Sequence, residues 1–270
     1  MDNQQQSKWF NACARGNLDI VEHFVENGQN IDVTNSDGDT GLIVASLEGK
    51  SNVVRFLLSK GARTDRTSAN GFSPLLCAAS AGHLDVCREL VANGADANED
   101  TDRKTPWLGA CVLGYLDIVE FFVENGQNIE VMNSDGISAL IAASCEGRAN
   151  VLRFLLSKGA RTDRTDANGL PPLYFAARRG HLDVCKELVA KGADANQKSE
   201  NTSPWLEVCK QGYLDIVELF VENGQDINAT GYKGFTALTI ASLAGKSNVV
   251  RFLLSKGARV DWTIDEGEAI

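Results

Sequence analysis

Apolar and polar positions along this chain keep returning to two registers. Within residues 168–196, Leu173, Ala176, Ala177 and Gly180 stand at i, i+3, i+4 and i+7, the stripe of a short helix. Leu182, Val184, Cys185, Leu188 and Val189 form the apolar stripe of a second helix. The residues between and around these stripes are punctuation. Asn168-Gly169 marks a tight turn, because glycine accepts a positive φ. The prolines that follow pre-set φ for a first helical turn. Gly180 ends the first helix, His181 opens the next connection, and Gly192 stops the second helix in a left-handed cap. The segment predicts a turn, a short helix, a tight loop, an antiparallel second helix and an extended return.

The same paragraph of sequence recurs along the whole chain. Gly28, Gly61, Gly94, Gly126, Gly159, Gly192, Gly224 and Gly257 follow one another at 33, 33, 32, 33, 33, 32 and 33 residues. A longer period of 98 residues is superimposed on this one. Arg55–Thr67, RFLLSKGARTDRT, returns letter for letter at Arg153–Thr165 and begins again at Arg251 before diverging at Val260. Trp9, Trp107 and Trp205 keep that offset, as do Cys13, Cys111 and Cys209. A fixed period of this length signals a stacked repeat architecture, in which each unit buries its apolar face only against its neighbours. The pattern divides the 270 residues into a single body of units at 1–35, 36–68, 69–100, 101–133, 134–166, 167–198, 199–231 and 232–264, with 265–270 as the start of an unfinished unit or a tail.

Three unit types alternate in the order ABC-ABC-AB. A-units carry the tryptophan and the run Glu-Asn-Gly-Gln. B-units read Lys50-Ser51-Asn52 or Lys246-Ser247-Asn248 where C-units read His-Leu-Asp. The C-to-A junctions, Thr101–Thr105 and Ser199–Ser203, are one residue short and lack the turn glycine, which predicts irregular turns there.

This grammar resembles the ankyrin repeat. The family's T-P-L-H-x-A opening stands as SPLLCA at Ser73–Ala78, TPWLGA at Thr105–Ala110, SALIAA at Ser138–Ala143, SPWLEV at Ser203–Val208 and TALTIA at Thr236–Ala241. Its G-H-L loop appears at Gly82–Leu84 and Gly180–Leu182, and its G-A-D-x-N at Gly94–Asn98 and Gly192–Asn196. The resemblance implies an all-α solenoid of stacked antiparallel helix pairs with β-hairpin-like turns. It also implies that His83 and His181 are structural. The histidine of the T-P-L-H motif is missing from every unit, so its turn-bracing hydrogen bonds must be replaced or lost. A serine or threonine at the helix start supplies a cap worth about 1 kcal/mol. Asp19, Asp85, Asp117, Asp183 and Asp215 open the second helices, where a carboxylate caps free N–H groups and suits the helix dipole. His23 replaces the large apolar residue of its siblings Phe121 and Leu219, as suits a first unit with no neighbour to cover it.

Charge and composition narrow the functional classes. A formal net charge of −10 argues against nucleic acid, which calls for a basic stripe, and against anionic membrane surfaces. No apolar run reaches the 18 residues of a membrane span, and MDNQQQSKWF is no signal peptide. The chain reads as intracellular and cytoplasmic, with the nucleus left open. The seven cysteines form no zinc-spaced pair and read as reduced, buried thiols. No phosphate loop occurs, and no nucleophile, base and orienter converge. The sequence therefore offers no catalytic, cofactor-binding or metal-binding residues.

Binding is the remaining class. In the family this chain resembles, turn tips and inner helices line a concave face where partners sit. Four candidates follow a turn glycine, the apolar Phe72, Ile137, Leu170 and Phe235; Asp39 holds the same place in the second unit. Others end the inner helices: Leu47, Val112 and Leu113 are apolar, and Arg178, Arg179 and Lys210 are basic. These residues predict a protein or peptide partner with apolar anchors and an acidic stretch. The expected role is a non-catalytic interaction scaffold. The alternatives are a regulatory region of a larger protein and, less favoured, an enzyme. A further expectation is that the C-terminal end frays, dimerises or is covered by residues beyond Ile270, with Trp262 folding back as a partial lid: Ala269 and Ile270 stand where a ninth inner helix would start, and the eighth unit's Val249, Val250, Phe252, Leu253 and Leu254 carry no capping substitution.

Overall fold

The computed structural model describes residues 3–99, 105–197, 199 and 202–260. Trp262, Ala269 and Ile270 lie outside these residues, as do most positions of the two short junctions. Sixteen α-helices are present among the described residues, with one 3₁₀ turn at Tyr232–Gly234. They fall into two compact bodies, Met1–Asn128 and Ile129–Ile270.

The first body holds α1 (Asn3–Arg15), α2 (Leu18–Glu26), α3 (Gly41–Leu47), α4 (Ser51–Ser59), α5 (Pro74–Ala81), α6 (Leu84–Ala92), α7 (Pro106–Leu113) and α8 (Leu116–Glu124). Odd-numbered helices pack in one row and even-numbered helices in a second, each odd helix paired with the even helix that follows it. The second body repeats the plan. Its inner row is α9 (Ala139–Cys145), α11 (Pro172–Arg179), α13 (Pro204–Gln211) and α15 (Ala237–Leu243). Its outer row is α10 (Ala149–Ser157), α12 (Leu182–Ala190), α14 (Leu214–Glu222) and α16 (Ser247–Ser255). Every outer helix is nine residues long. Helices this short are marginal alone, so their stability comes from the faces they bury. The chain is an all-α solenoid of stacked helix pairs.

The inner helices begin as the sequence predicts. Side chains of Thr40, Ser73, Thr105, Ser138, Ser203 and Thr236 each accept a hydrogen bond from the backbone amide three residues on. Pro171 fills that place before α11 and makes no such bond. The outer helices differ from expectation. Their cap positions are Asn17, Lys50, His83, Tyr115, Arg148, His181, Tyr213 and Lys246, none with a side-chain cap bond. The aspartates sit one residue inside the helix, where Asp117 and Asp215 accept from the amides of Ile118 and Ile216 at 2.9 Å.

Local acceptors replace the missing motif histidine. Asn35 Oδ1 accepts from the amides of Asp37 and Asp39, Asn133 Oδ1 from Asp135 and Ile137, and Asp166 Oδ1 from Asn168 and Leu170. Ser68 Oγ accepts from Phe72 N at 3.1 Å. These side chains close the hairpin turns in the Asx manner.

Six of the seven cysteines are buried and Cys145 is half-buried. Burial pushes the thiols of Cys13, Cys77, Cys87 and Cys185 up to about 12, and those of Cys111 and Cys209 up as well. Burial also raises Cys145, with Arg179 opposing it. Thiolate is the reactive form. In the native protein at mildly alkaline pH, a maleimide is therefore expected to label Cys145 first, and the other six only on unfolding. Peptide mass spectrometry checks this, and early labelling of Cys111 or Cys209 would contradict the buried assignment.

Candidate partner-binding surface

In the first body, the last turns of α3 and α7 present Leu47 and Leu113, 49% and 39% exposed. Val112, next to Leu113 in the chain, and Phe72, at the turn before α5, are half-buried. The tips of the inner helices are thus more open than the turn tip. The same holds in the second body, where Ile137, Leu170 and Phe235 are all half-buried rather than solvent-facing. Asp39 is half-buried too, with Oδ2 accepting from Asn35 Nδ2 at 3.1 Å.

Two of the three basic candidates have carboxylates beside them. Arg179 Nη1 lies 3.2 Å from Glu146 Oε1, and Arg178 Nε lies 3.9 Å from Glu207 Oε1. Both arginines therefore already face carboxylates, one just past the end of α9 and one on α13. Lys210 is exposed on the last turn of α13. Glu207 is the residue that charge counting overlooked. It is 5% exposed and accepts a bond from Gln211 Nε2 at 2.7 Å. Burial, then the nearby Glu207 charge, raises the Tyr174 hydroxyl above its usual range. Tyr174, Arg178, Glu207 and Gln211 make one polar cluster across α11 and α13. Register held the clue: 98 residues earlier the place of Glu207 is taken by Gly109.

The loops joining inner to outer helices are strapped by the following unit. His83 Nε2 lies 3.0 Å from Leu47 O, and His181 Nε2 lies 3.0 Å from Cys145 O. The imidazoles therefore serve as inter-unit ties, as the resemblance implies. Asn52 Nδ2 donates to Gly16 O at 3.0 Å, and Asn248 Nδ2 to Gly212 O at 3.3 Å. The rings of Tyr115 and Tyr213 lie against Gly82 and Gly180. Three unit types thus correspond to three kinds of strap. His23, by contrast, is exposed where Phe121 is buried.

Among the described residues no group of three or more His, Cys, Asp or Glu could hold a metal ion. Nor is any helix among them long and apolar enough to cross a membrane.

Comparison with known proteins agrees with this geometry. A 62-residue stretch is 39% identical to protein phosphatase 1 regulatory subunit 27 of Homo sapiens. The match takes in 23% of this chain and spans only 40% of that protein's length. The family model described as ankyrin repeats (3 copies) matches residues 9–101, 107–199 and 196–263. With nearly all of its length accounted for by these matches, the chain belongs to the ankyrin repeat family.

Proposed function

We propose that the protein is a non-catalytic interaction scaffold that binds a protein or peptide through its inner-helix tips. The observation that carries this reading is the placement of Leu47 and Leu113. Both are large apolar side chains left open at equivalent ends of inner helices in one body. Exposed apolar residues grouped on one face mark interaction surfaces. Phe72 and Val112 complete the candidate set in the first body. Ile137, Leu170 and Phe235, with Lys210, form the corresponding candidate set in the second. Arg178 and Arg179 drop out as free cations, because Glu207 and Glu146 face them. The proposed ligand therefore carries apolar anchors, with no acidic stretch required. A second reading, a regulatory region acting on an enzyme, is favoured by the likeness to a phosphatase regulatory subunit.

The test begins by capturing a partner from cell extract on the immobilised chain and purifying it. Its affinity is then measured for two variants. Leu47→Asp with Leu113→Asp is expected to weaken binding by about tenfold or more, as loss of buried anchors does. Ala92→Glu, at the exposed end of outer helix α6, is expected to leave it within about twofold. Loss of binding in the α6 variant alone would refute the inner-helix assignment.

A further inference from the structure

Six asparagines in this chain precede a glycine: Asn27, Asn70, Asn93, Asn125, Asn168 and Asn223. Glycine has no Cβ to shield its backbone nitrogen, so each pair can close on itself. The glycine nitrogen attacks the asparagine Cγ, ammonia leaves, and water opens the resulting succinimide to aspartate or isoaspartate. All six asparagines are exposed. In all six pairs the glycine nitrogen donates to the carbonyl three residues back, at 3.0–3.1 Å. Neither exposure nor the state of the nucleophile separates them.

The side-chain amides do. Asn27, Asn93, Asn125 and Asn223 end outer helices, and each Nδ2 donates to the carbonyl four residues earlier at 2.7–2.8 Å. Asn168 sits in a hairpin turn, where its Nδ2 donates to Asp166 Oδ2 at 3.1 Å. The other oxygen of that carboxylate accepts from the amides of Asn168 and Leu170. Asn70 holds the same place one 98-residue period earlier, where Ser68 stands for Asp166. Ser68 Oγ accepts from Phe72 N at 3.1 Å. The Asn70 side chain has no hydrogen-bond partner among the described residues.

We propose that Asn70 is the deamidation site of the folded protein, selected by the serine at position 68. Its Cγ can turn toward Gly71 N without giving up a side-chain bond, whereas the other five must first break one. The Asp166 carboxylate also repels the negative charge that develops on the Gly169 nitrogen as it loses its proton and attacks. At Asn70 the bond from Gly71 N to Cγ forms and the Cγ–Nδ2 bond breaks. The amide proton leaves with the ammonia, one water is consumed in opening the ring, and nothing is oxidised. Either product adds a negative charge two residues before Phe72. The isoaspartate also adds a carbon to the backbone of a turn that Ser68 closes with two bonds to Phe72. The reaction therefore ages a turn that carries one of the candidate partner-binding residues.

The test incubates the full chain at mildly alkaline pH and follows all six asparagines by peptide mass spectrometry after digestion in acid. In the native protein Asn70 should convert about threefold to tenfold faster than any of the other five, the ratio set by one side-chain hydrogen bond. In urea the six rates should converge, because the unfolded chain holds none of these bonds. Reciprocal variants test the cause. Ser68→Asp should slow Asn70, and Asp166→Ser should speed Asn168, each by about tenfold, as a bond to a charged acceptor requires. Each variant installs the residue that the sibling turn already carries, so the fold is retained. A native chain in which Asn168 or a helix-end asparagine keeps pace with Asn70 overturns the proposal. So do unchanged rates in both variants, or an Asn70 that converts only in urea.

Discussion

Trp205→Ala is expected to cost about 3–5 kcal/mol of stability, the range for removing a large aromatic side chain from a core. Trp205 is fully buried on α13, between the rows formed with α11, α14 and α15. The cavity would open beside Leu206, Val208 and Cys209 on the same helix, all nearly or fully buried. Short helices cannot collapse into such a gap without breaking contact with both neighbouring units. The indole Nε1 finds no hydrogen-bond partner among the described residues, as in Trp9 and Trp107. A buried donor without an acceptor costs free energy. Trp205→Phe should therefore be milder, about 1–3 kcal/mol, because it keeps most of the apolar volume and removes that donor. Urea unfolding followed by circular dichroism separates the outcomes. A loss below about 1 kcal/mol for Trp205→Ala, the size of an ordinary substitution, would mean that the tryptophan is not core.

Much of this architecture was legible because it is local and repeated. The 33-residue spacing of Gly61, Gly94 and their siblings marks where outer helices stop, and each of these glycines has a positive φ. Thr105 and Ser203 announce their helices by cap chemistry that needs only three residues to operate. His83 and His181 were readable as structural from the resemblance of their loops to the family's G-H-L, although the carbonyl each one meets lies 36 residues away.

What could not be read depends on register between units. Arg178 and Arg179 look like a basic pair along α11, yet their carboxylates come from α13 and α9, on opposite sides. Counting charges unit by unit cannot reveal that pairing. Phe72, Ile137, Leu170 and Phe235 were expected in solvent because the position is open in a generic repeat. Side-chain bonds from Ser68, Asn133 and Asp166 fold three of these turns tightly, and all four apolar residues end half-buried. Exposure instead falls on Leu47 and Leu113, at the far ends of the inner helices.

The strap over each loop makes the second large prediction. Gly147→Ala should destabilise the protein by about 2–5 kcal/mol, whereas Gly159→Ala should cost only about 1–2 kcal/mol. Both glycines have positive φ, +68° and +90°, so alanine meets the left-handed strain at either site. Only Gly147 has a neighbour to strike. A Cβ there would lie 2.7 Å from His181 Nδ1, while at Gly159 nothing among the described residues lies within 4 Å. The imidazole cannot swing aside without losing the contact of Nε2 with Cys145 O. The difference, about 1–3 kcal/mol, is the cost of that collision and the broken tie. A double-mutant cycle isolates it, because His181→Ala removes the ring that alanine would strike. In that background Gly147→Ala should fall to the cost of Gly159→Ala. If the full penalty persists without the imidazole, backbone strain alone explains it, and the histidine does not strap the loop.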